Sequence, residues 1–499
     1  MKLRIKYIAA PLLGLMVLAT SCNKSYLDKK PYNAAPLNEA IKSEGDLLVG
    51  LAGTYASLRS TNLYGRTLPV KGDLMGDNTF ITTSNSGRYI SMNNYVFTSA
   101  DADATGIWTS GYVSIKYANT VITSGGSLTA TANINQYIGE AYAIRALMLF
   151  ELVRNFAKPY TVDPNAAGVP IVTAYNIDAK PARPTVKDDY TQIIADLEKA
   201  YSLITTYRGT GYFSKYAARL LEARVYQFMG DWANAKATAT DVITNSGWSL
   251  MSAATYVSPS GTLGTSGNAT PRPSYSPGGL WANPSPQTST KNETMFEVLS
   301  DLLLNNGFDQ IGFIYLQVGG GYGDVLATPE LYNLYSATDV RRGLIPSVAA
   351  PYRSGQAGQT YLCYKYSNPD GSGDRDDTKV IRYVDAYLIL AEANYNLGDI
   401  VNANLNLNKV ATQRDPAFTG YANAGAQVLE DILTERRKEF AFEGYRFYDL
   451  TRLNRSWTKV KNQSPLVTVA VTPATAGNLL PIPQTELDAN KSMTQNPGY

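Results

Sequence analysis

Leu220-Leu-Glu-Ala-Arg-Val-Tyr-Gln-Phe-Met-Gly-Asp-Trp-Ala-Asn-Ala235 and Leu388-Ile-Leu-Ala-Glu-Ala-Asn-Tyr-Asn-Leu-Gly-Asp-Ile-Val-Asn-Ala403 follow one pattern. In each, an alanine (Ala223, Ala391) is followed by glycine (Gly230, Gly398), then aspartate (Asp231, Asp399), then an Asn-Ala pair. Glycine ends a helix because it alone enters the left-handed region at no steric cost, and an aspartate just after it can cap the next helix. Alanines at the matching positions let two helices cross closely. The pattern predicts helical hairpins of the tetratricopeptide type. The copies stand far apart in sequence, so a long insertion interrupts the array.

Working outward, apolar residues three and four apart predict helices over Asn38–Leu58, Trp108–Ile122, Ile134–Phe156, Val186–Ile204 and Ser214–Met229. Breaker-rich stretches such as Lys180-Pro-Ala-Arg-Pro184 separate them. The insertion differs in composition: Ser258–Asn292 is dense in Ser, Thr, Gly, Pro and Asn, and holds Tyr275 and Trp281. Gly319-Gly-Gly-Tyr322-Gly follows it. Flat rings on glycine-supported loops suit stacking against a sugar or other planar ligand, and a solvated connector pinned by its aromatics is the equal alternative.

The chain begins with Lys2, Arg4 and Lys6, an apolar run from Ile8 to Leu18, and then Ala19-Thr20-Ser21-Cys22. That run is too short to span a bilayer and reads as an export signal over residues 1–21. Cysteine at the first mature position predicts lipidation at Cys22. Ala19 stands where such signals usually carry leucine, which leaves an ordinary secreted protein as the alternative.

The 499 residues carry a formal charge of +2, with 17% charged residues and no basic block of nucleic-acid type. With Cys22 lipidated, the second cysteine, Cys363, has no intrachain partner, and its alternating surroundings Tyr361–Tyr366 read as a packed strand. There is no histidine, which excludes Ser-His-Asp and Cys-His sites, His-ligated zinc and a His general base. Tyrosine is abundant, at 36 residues against 13 Phe and 5 Trp, and a phenol offers a flat apolar face plus a hydroxyl for gripping polar ligands.

Four constellations bear on chemistry. Glu435, Glu439 and Glu443 are spaced four apart, hence on one helix face, and could approach a glycosidase pair. Arg436, Arg437, Lys438, Arg446 and Arg452 interleave with them and keep carboxylates ionised, so a charge network fixing the last helix is the expected role. Arg145 and Arg382 lie in apolar helices and need partners; Glu140, Glu151 and Glu392 are near in sequence. Asp370, Asp374 and Asp376 alternate around glycines as calcium ligands do, but Arg375 intrudes and the distal glutamate is missing, so a solvated acidic turn is the default. Asp73–Tyr95 is a polar loop whose Asp77, Asn78, Arg88, Tyr89, Asn94 and Tyr95 form a sugar-gripping set.

Several blocks resemble the SusD/RagB family in order along the chain. They are Cys22-Asn-Lys-Ser-Tyr-Leu-Asp28 with Pro31; Trp108 to Asn119; Gly139-Glu-Ala-Tyr-Ala-Ile-Arg-Ala146 running into Phe150–Arg154; Ile381 to Ala393; Glu435 to Leu450; Leu479 to Asn490; and Thr494-Gln-Asn-Pro-Gly-Tyr499. The resemblance implies one mainly α domain after the signal. About four tetratricopeptide-type hairpins (35–246 and 379–455) would carry a loop-rich ligand insertion (247–378) and an extended C-terminal segment (456–499). It also implies a non-enzymatic, lipid-anchored protein on the outer face of the outer membrane that binds glycan or oligosaccharide, without cofactor. It would serve as a hinged lid on a SusC-like TonB-dependent transporter. A peptide or other nutrient is the alternative ligand within the family. A carboxylate glycosidase and a protein-binding helical scaffold are the readings from other classes. The family's ligand contacts share no motif, so the ligand-binding candidates Asp77, Asn78, Arg88, Tyr89, Tyr95, Tyr275, Trp281 and Tyr322 rest on loop position and chemistry.

Overall fold

The computed structural model describes residues 41–176, 178–257, 280–281, 293–301, 303–316, 321–348, 359–366, 376–463 and 466–499. The main helices are α1 Glu44–Ser57, α2 Thr67–Leu74, α3 Ala102–Gly126, α4 Ala132–Phe156, α5 Val186–Leu203, α6 Lys215–Met229 and α7 Trp232–Asn245. After the insertion come α8 Val384–Asn396, α9 Ile400–Arg414, α10 Gln427–Glu439 and α11 Arg446–Arg452. Among the described residues, four helix pairs pack in succession (α1/α3, α4/α5, α6/α7, α8/α9), and each pair stacks on the next. This is the mainly α, hairpin-built fold that the two repeated stretches imply.

The two Gly-Asp turns adopt one geometry. Gly230 and Gly398 have φ of +72° and +82°. In both, the glycine amide donates to the carbonyl three residues back and the aspartate amide to the carbonyl five back, which closes the helix end. Asp231 and Asp399 then each accept from the backbone amide of the following asparagine at 3.2 Å and from its side-chain amide at 2.7 Å. The asparagine in the repeated pattern is therefore part of the cap. The insertion does not keep the copies apart in space, because α7 packs on α8 and Arg224 reaches Asp385 at 2.9 Å.

The strands are short. β1 Thr79–Ile81, β3 Val325–Ala327, β4 Ser347–Val348 and β5 Thr360–Tyr361 form an antiparallel sheet in the order β1-β3-β5-β4. β2 Thr294–Val298 pairs with β6 Thr378–Arg382, and β7 Trp457–Gln463 with β8 Leu466–Val471. Met295, Phe296, Ile311, Ile314 and Leu326 from the insertion join the same buried cluster as Leu47, Ile144 and Leu220 of the helices. The insertion therefore shares the core of the array.

Four readings change in detail, the first being Arg382, which closes strand β6 rather than lying in a helix and pairs with Glu293, Glu439 and Glu443. The strand at Cys363 ends at Tyr361, yet the thiol is fully buried, and burial pushes its pKa up. Arg145 pairs with none of Glu140, Glu151 and Glu392; its fork meets Asp196 of α5 at 2.6 and 2.7 Å and Asn119 of α3 at 2.8 Å. Glu443 is not on the helix of Glu435 and Glu439, because α10 stops at Glu439 and Phe442 turns left-handed at φ +68°.

Candidate ligand-binding site

The neighbours Arg88 and Tyr89 and the distant Tyr322 come together around a residue that sequence reading passed over, Asp309, which Arg88 approaches directly and Tyr89 reaches through Arg66. The short helix Ile90–Asn94 is bracketed by Tyr89 and Tyr95, both left-handed at φ +58° and +57°. Side chains rarely hold that conformation unless their surroundings fix them. Tyr89 is fixed by burial: its hydroxyl accepts from Arg66 Nε at 2.8 Å and lies 2.9 Å from Thr67 Oγ1. Thr67 gives its own proton to the Thr61 carbonyl at 2.7 Å, so the tyrosine donates to it.

Arg66 precedes α2 and reaches Asp309 at 2.5 Å. Burial would lower the pKa of this guanidinium, but Tyr89 and Asp309 hold it above the ordinary value. Arg88 lies over Tyr322, its Cζ 3.8 Å from the ring centroid, donates to the Tyr322 hydroxyl at 2.9 Å and comes within 3.4 Å of Asp309. Asp309 is 46% exposed and the Arg88 side chain 31%, so carboxylate and guanidinium both remain open to solvent. The arrangement offers hydrogen-bond donors, an acceptor pair and ring surface held in fixed register, which suits neighbouring hydroxyls on a ligand. The turn pair Asn306-Gly307, with Gly307 at φ +56°, is the sequence signal that could have drawn attention to Asp309.

The other candidates lie elsewhere. Asp77 meets Arg446 at 2.7 and 2.9 Å, and Asn78 donates to Asp73 at 2.6 Å and accepts from Arg437 Nε at 2.7 Å. These bonds tie the loop before β1 to α10 and α11, while Asp77 also lines a cavity of about 310 Å³ with Arg437, Arg446 and Trp457. Tyr95 is buried and donates to the Met75 carbonyl. Trp281 is buried too, with Lys365, Lys379 and Arg382 over its ring at 4.5, 5.2 and 5.5 Å, so its faces are turned to the core. Cys22, Tyr275, Asp370 and Asp374 lie outside the described residues. Asp376 is buried, and among the described residues no group of three or more acidic or sulfur side chains is placed to hold a metal ion.

The carboxylates of α10 sit in a buried network. Glu439 meets Arg341, Arg382 and Arg414 at 2.9, 2.8 and 3.2 Å and accepts from Tyr256 at 3.0 Å. Glu435 lies 2.7 Å from Arg341 and 3.3 Å from Lys438, and Glu443 takes both Arg382 and Lys365. Glu293, entering at β2, adds bonds of 2.8 Å to Arg382 and 2.5 Å to Arg414. Burial would raise the Glu439 carboxyl, but its surrounding cations hold it well below the carboxylate range. It is fully buried and held ionised, so it is not placed as a proton donor to a ligand.

Among the described residues, no helix is long and apolar enough to cross a membrane. Residues 338–499 match the SusD family, and residues 25–227 match a family described as starch-binding associating with outer membrane. The chain is 26% identical to SusD-like protein P2 of Formosa agariphila, with 97% of this chain and 98% of the relative covered. Among solved structures it resembles a SusD superfamily protein of Bacteroides thetaiotaomicron (TM-score 0.79, 27% identity, 91% and 100% covered). It resembles equally a candidate sugar-binding protein of Bacteroides vulgatus (TM-score 0.79, 28% identity, 92% and 99% covered). With matched segments over 25–227 and 338–499 and one fold along the described chain, this protein belongs to the SusD family.

Proposed function

We propose that this chain is a lipid-anchored protein of the outer-membrane surface that binds glycan or oligosaccharide and passes it to a SusC-like TonB-dependent transporter. SusD-family members are sugar-binding proteins rather than enzymes. The observation that carries the reading is the Arg88–Tyr322 stack, with Asp309 open to solvent between two guanidiniums. Such a cluster grips vicinal hydroxyls through paired donors and acceptors while ring surface covers the apolar face of a sugar. Cys22 supplies the tether and leaves the folded body free to move at the membrane. The chain binds without cleaving, because the closely spaced carboxylates of Glu439 and Glu443 are committed to buried arginines.

The test is affinity electrophoresis of the purified chain through a panel of plant, algal and microbial polysaccharides, with product analysis alongside. Retention without products is expected, and Arg88→Ala and Tyr322→Ala should each abolish it. Retention untouched by either variant removes the site; release of products from the polysaccharide removes the non-enzymatic reading. Co-purification of a TonB-dependent transporter with the wild-type chain, and loss of outer-membrane fractionation in Cys22→Ala, test partner and anchor.

A further inference from the structure

A groove of about 500 Å³ runs between the C-terminal end of α1, the middle of α3 and the loop Leu303–Asn306. That volume is in the range that holds small-molecule ligands. Among the described residues its polar lining is mostly neutral, with Ser57, Ser60, Thr109, Ser110 and Asn305, and Arg59 as the one charged side chain. The hydroxyls are already oriented, since Ser60 donates to Ser110 at 3.2 Å and Ser57 lies 2.8 Å from Ser114. A hydroxyl that gives one proton away keeps acceptor capacity for a ligand donor. Arg59 gives its Nε to the Leu299 carbonyl at 2.8 Å, which anchors the guanidinium at the groove wall. Along the edges stand the Tyr117 ring, 38% exposed, and Leu303, 92% exposed.

The groove and the Arg88–Tyr322 cluster share one wall. Asn306 donates to the Arg59 carbonyl at 2.8 Å on the groove side, and Asp309 meets Arg66 and Arg88 on the other. Three residues of chain span at most about 11 Å, so the two places lie within reach of one extended ligand. Phe308, between Asn306 and Asp309 in sequence, is 60% exposed. Apolar ridges alternating with hydroxyl and amide groups match an oligosaccharide chain, whose rings carry apolar faces and hydroxyl rims in turn.

We propose that this groove is a second carbohydrate subsite, occupied by the distal part of a chain whose other part lies on Tyr322 and Arg88. The inference rests on the glycan-binding reading above. It makes the protein selective for longer oligosaccharides, because short ones fill only one of the two places.

The experiment is titration calorimetry of the intact chain with maltotriose and maltoheptaose, and in parallel with matched short and long fragments of laminarin, xylan, arabinan, galactan and mannan. The longer member of the bound series should bind at least about tenfold tighter than the shorter. Tyr117→Ala removes an exposed ring, and Thr109→Arg fills the groove from an exposed helix position. Each should erase that gain and leave the short fragment unchanged, while Tyr322→Ala weakens both lengths. Equal affinity for both lengths, or a length gain untouched by Tyr117→Ala and Thr109→Arg, overturns the second subsite and leaves the first standing. No binding of any fragment by the intact chain overturns the glycan reading itself.

Discussion

Arg382 meets Glu443 through two parallel hydrogen bonds, Nε to Oε2 at 2.7 Å and Nη2 to Oε1 at 2.8 Å, although the two residues belong to opposite ends of the β6–α10 region. The same guanidinium holds Glu439 and Glu293 at 2.8 Å each. One arginine thus pins the edge of the insertion, the end of α10 and the turn after it. A bidentate pair has directional demands that a point charge lacks, so lysine would not replace it.

Removing one carboxylate from this network should be costly, since it leaves guanidiniums buried and uncompensated. Glu439→Gln is expected to lower unfolding free energy by about 3–5 kcal/mol, read from denaturant curves. The cost should depend on pH. The folded carboxyl lies well below its ordinary value of 4.5, so its stabilisation is present above that value and is lost as pH falls through the folded pKa. The gap between wild type and Glu439→Gln should therefore be constant near neutrality and shrink in strong acid. A gap that widens in acid would refute the assignment.

Lys71 of α2 gives the opposite case. Its amine is fully buried, donates to no hydrogen-bond partner among the described residues, and sits over the rings of Phe447 and Tyr448 at 4.3 and 5.0 Å. Burial, reinforced by Arg154 and only partly offset by Glu151, lowers it from 10.5 to about 7. Between those two values the unfolded chain holds a proton that the folded chain does not, so stability rises with pH by about 1.4 kcal/mol per unit. Lys71→Met should be more stable than wild type at pH 7 and below, and the difference should close toward pH 10.5. Thermal melts across that window check it; a difference independent of pH would exclude the buried amine as its source.

What could be read from sequence divides by range. The Gly-Asp turns were legible because every atom of the cap lies within a few residues, from Tyr226 to Asn234 and from Asn394 to Asn402. The partner of Arg145 was not, because Asp196 stands on another helix and no local spacing distinguishes it from Glu140 or Glu151. Trp281 shows the same limit from the other side: a ring in a Ser- and Gly-rich stretch reads equally as a ligand platform or as a pin to the helices, until Lys365 and Arg382, far along the chain, are seen to close over it. Three of the five residues of the candidate site were visible: Arg88, Tyr89 and Tyr322. Arg66 and Asp309, which hold it together, acquire meaning only through tertiary contact.

Gly72 and Gly444 show why two glycines in unrelated stretches are needed. A Cβ on Gly72 would stand 2.0 Å from the Gly444 carbonyl oxygen, and Gly444, at φ +81°, has its own amide bound to Asp73 at 2.7 Å. Neither backbone can retreat without breaking that bond. Gly72→Ala is expected to destabilise by about 3 kcal/mol or more. Gly53, on the exposed face of α1 with open space around it, is the control: Gly53→Ala should stabilise by about 0.5–1 kcal/mol through helix propensity alone. Urea midpoints of the two variants should move in opposite directions.

The two caps allow a matched comparison within one molecule. Asp231 and Asp399 accept the same two asparagine donors at the same distances, so their local worth should be equal, about 1 kcal/mol each by alanine substitution. They differ in one neighbour: Lys236 of α7 stands 3.7 Å from Asp399, across the contact between the hairpins. Lys236 is 40% and Asp399 33% exposed, so this pair adds little, and less as salt rises. Asp399→Ala and Asp231→Ala should therefore destabilise equally in high salt, with Asp399→Ala marginally worse in low salt. A much larger loss at Asp399 would mean that the contact between α7 and α9, rather than the cap, sets the stability of the second hairpin. Hydrogen exchange of the Asn402 and Asn234 amides distinguishes the cases, because loss of a cap frees only the first turn while loss of the contact frees the whole of α9.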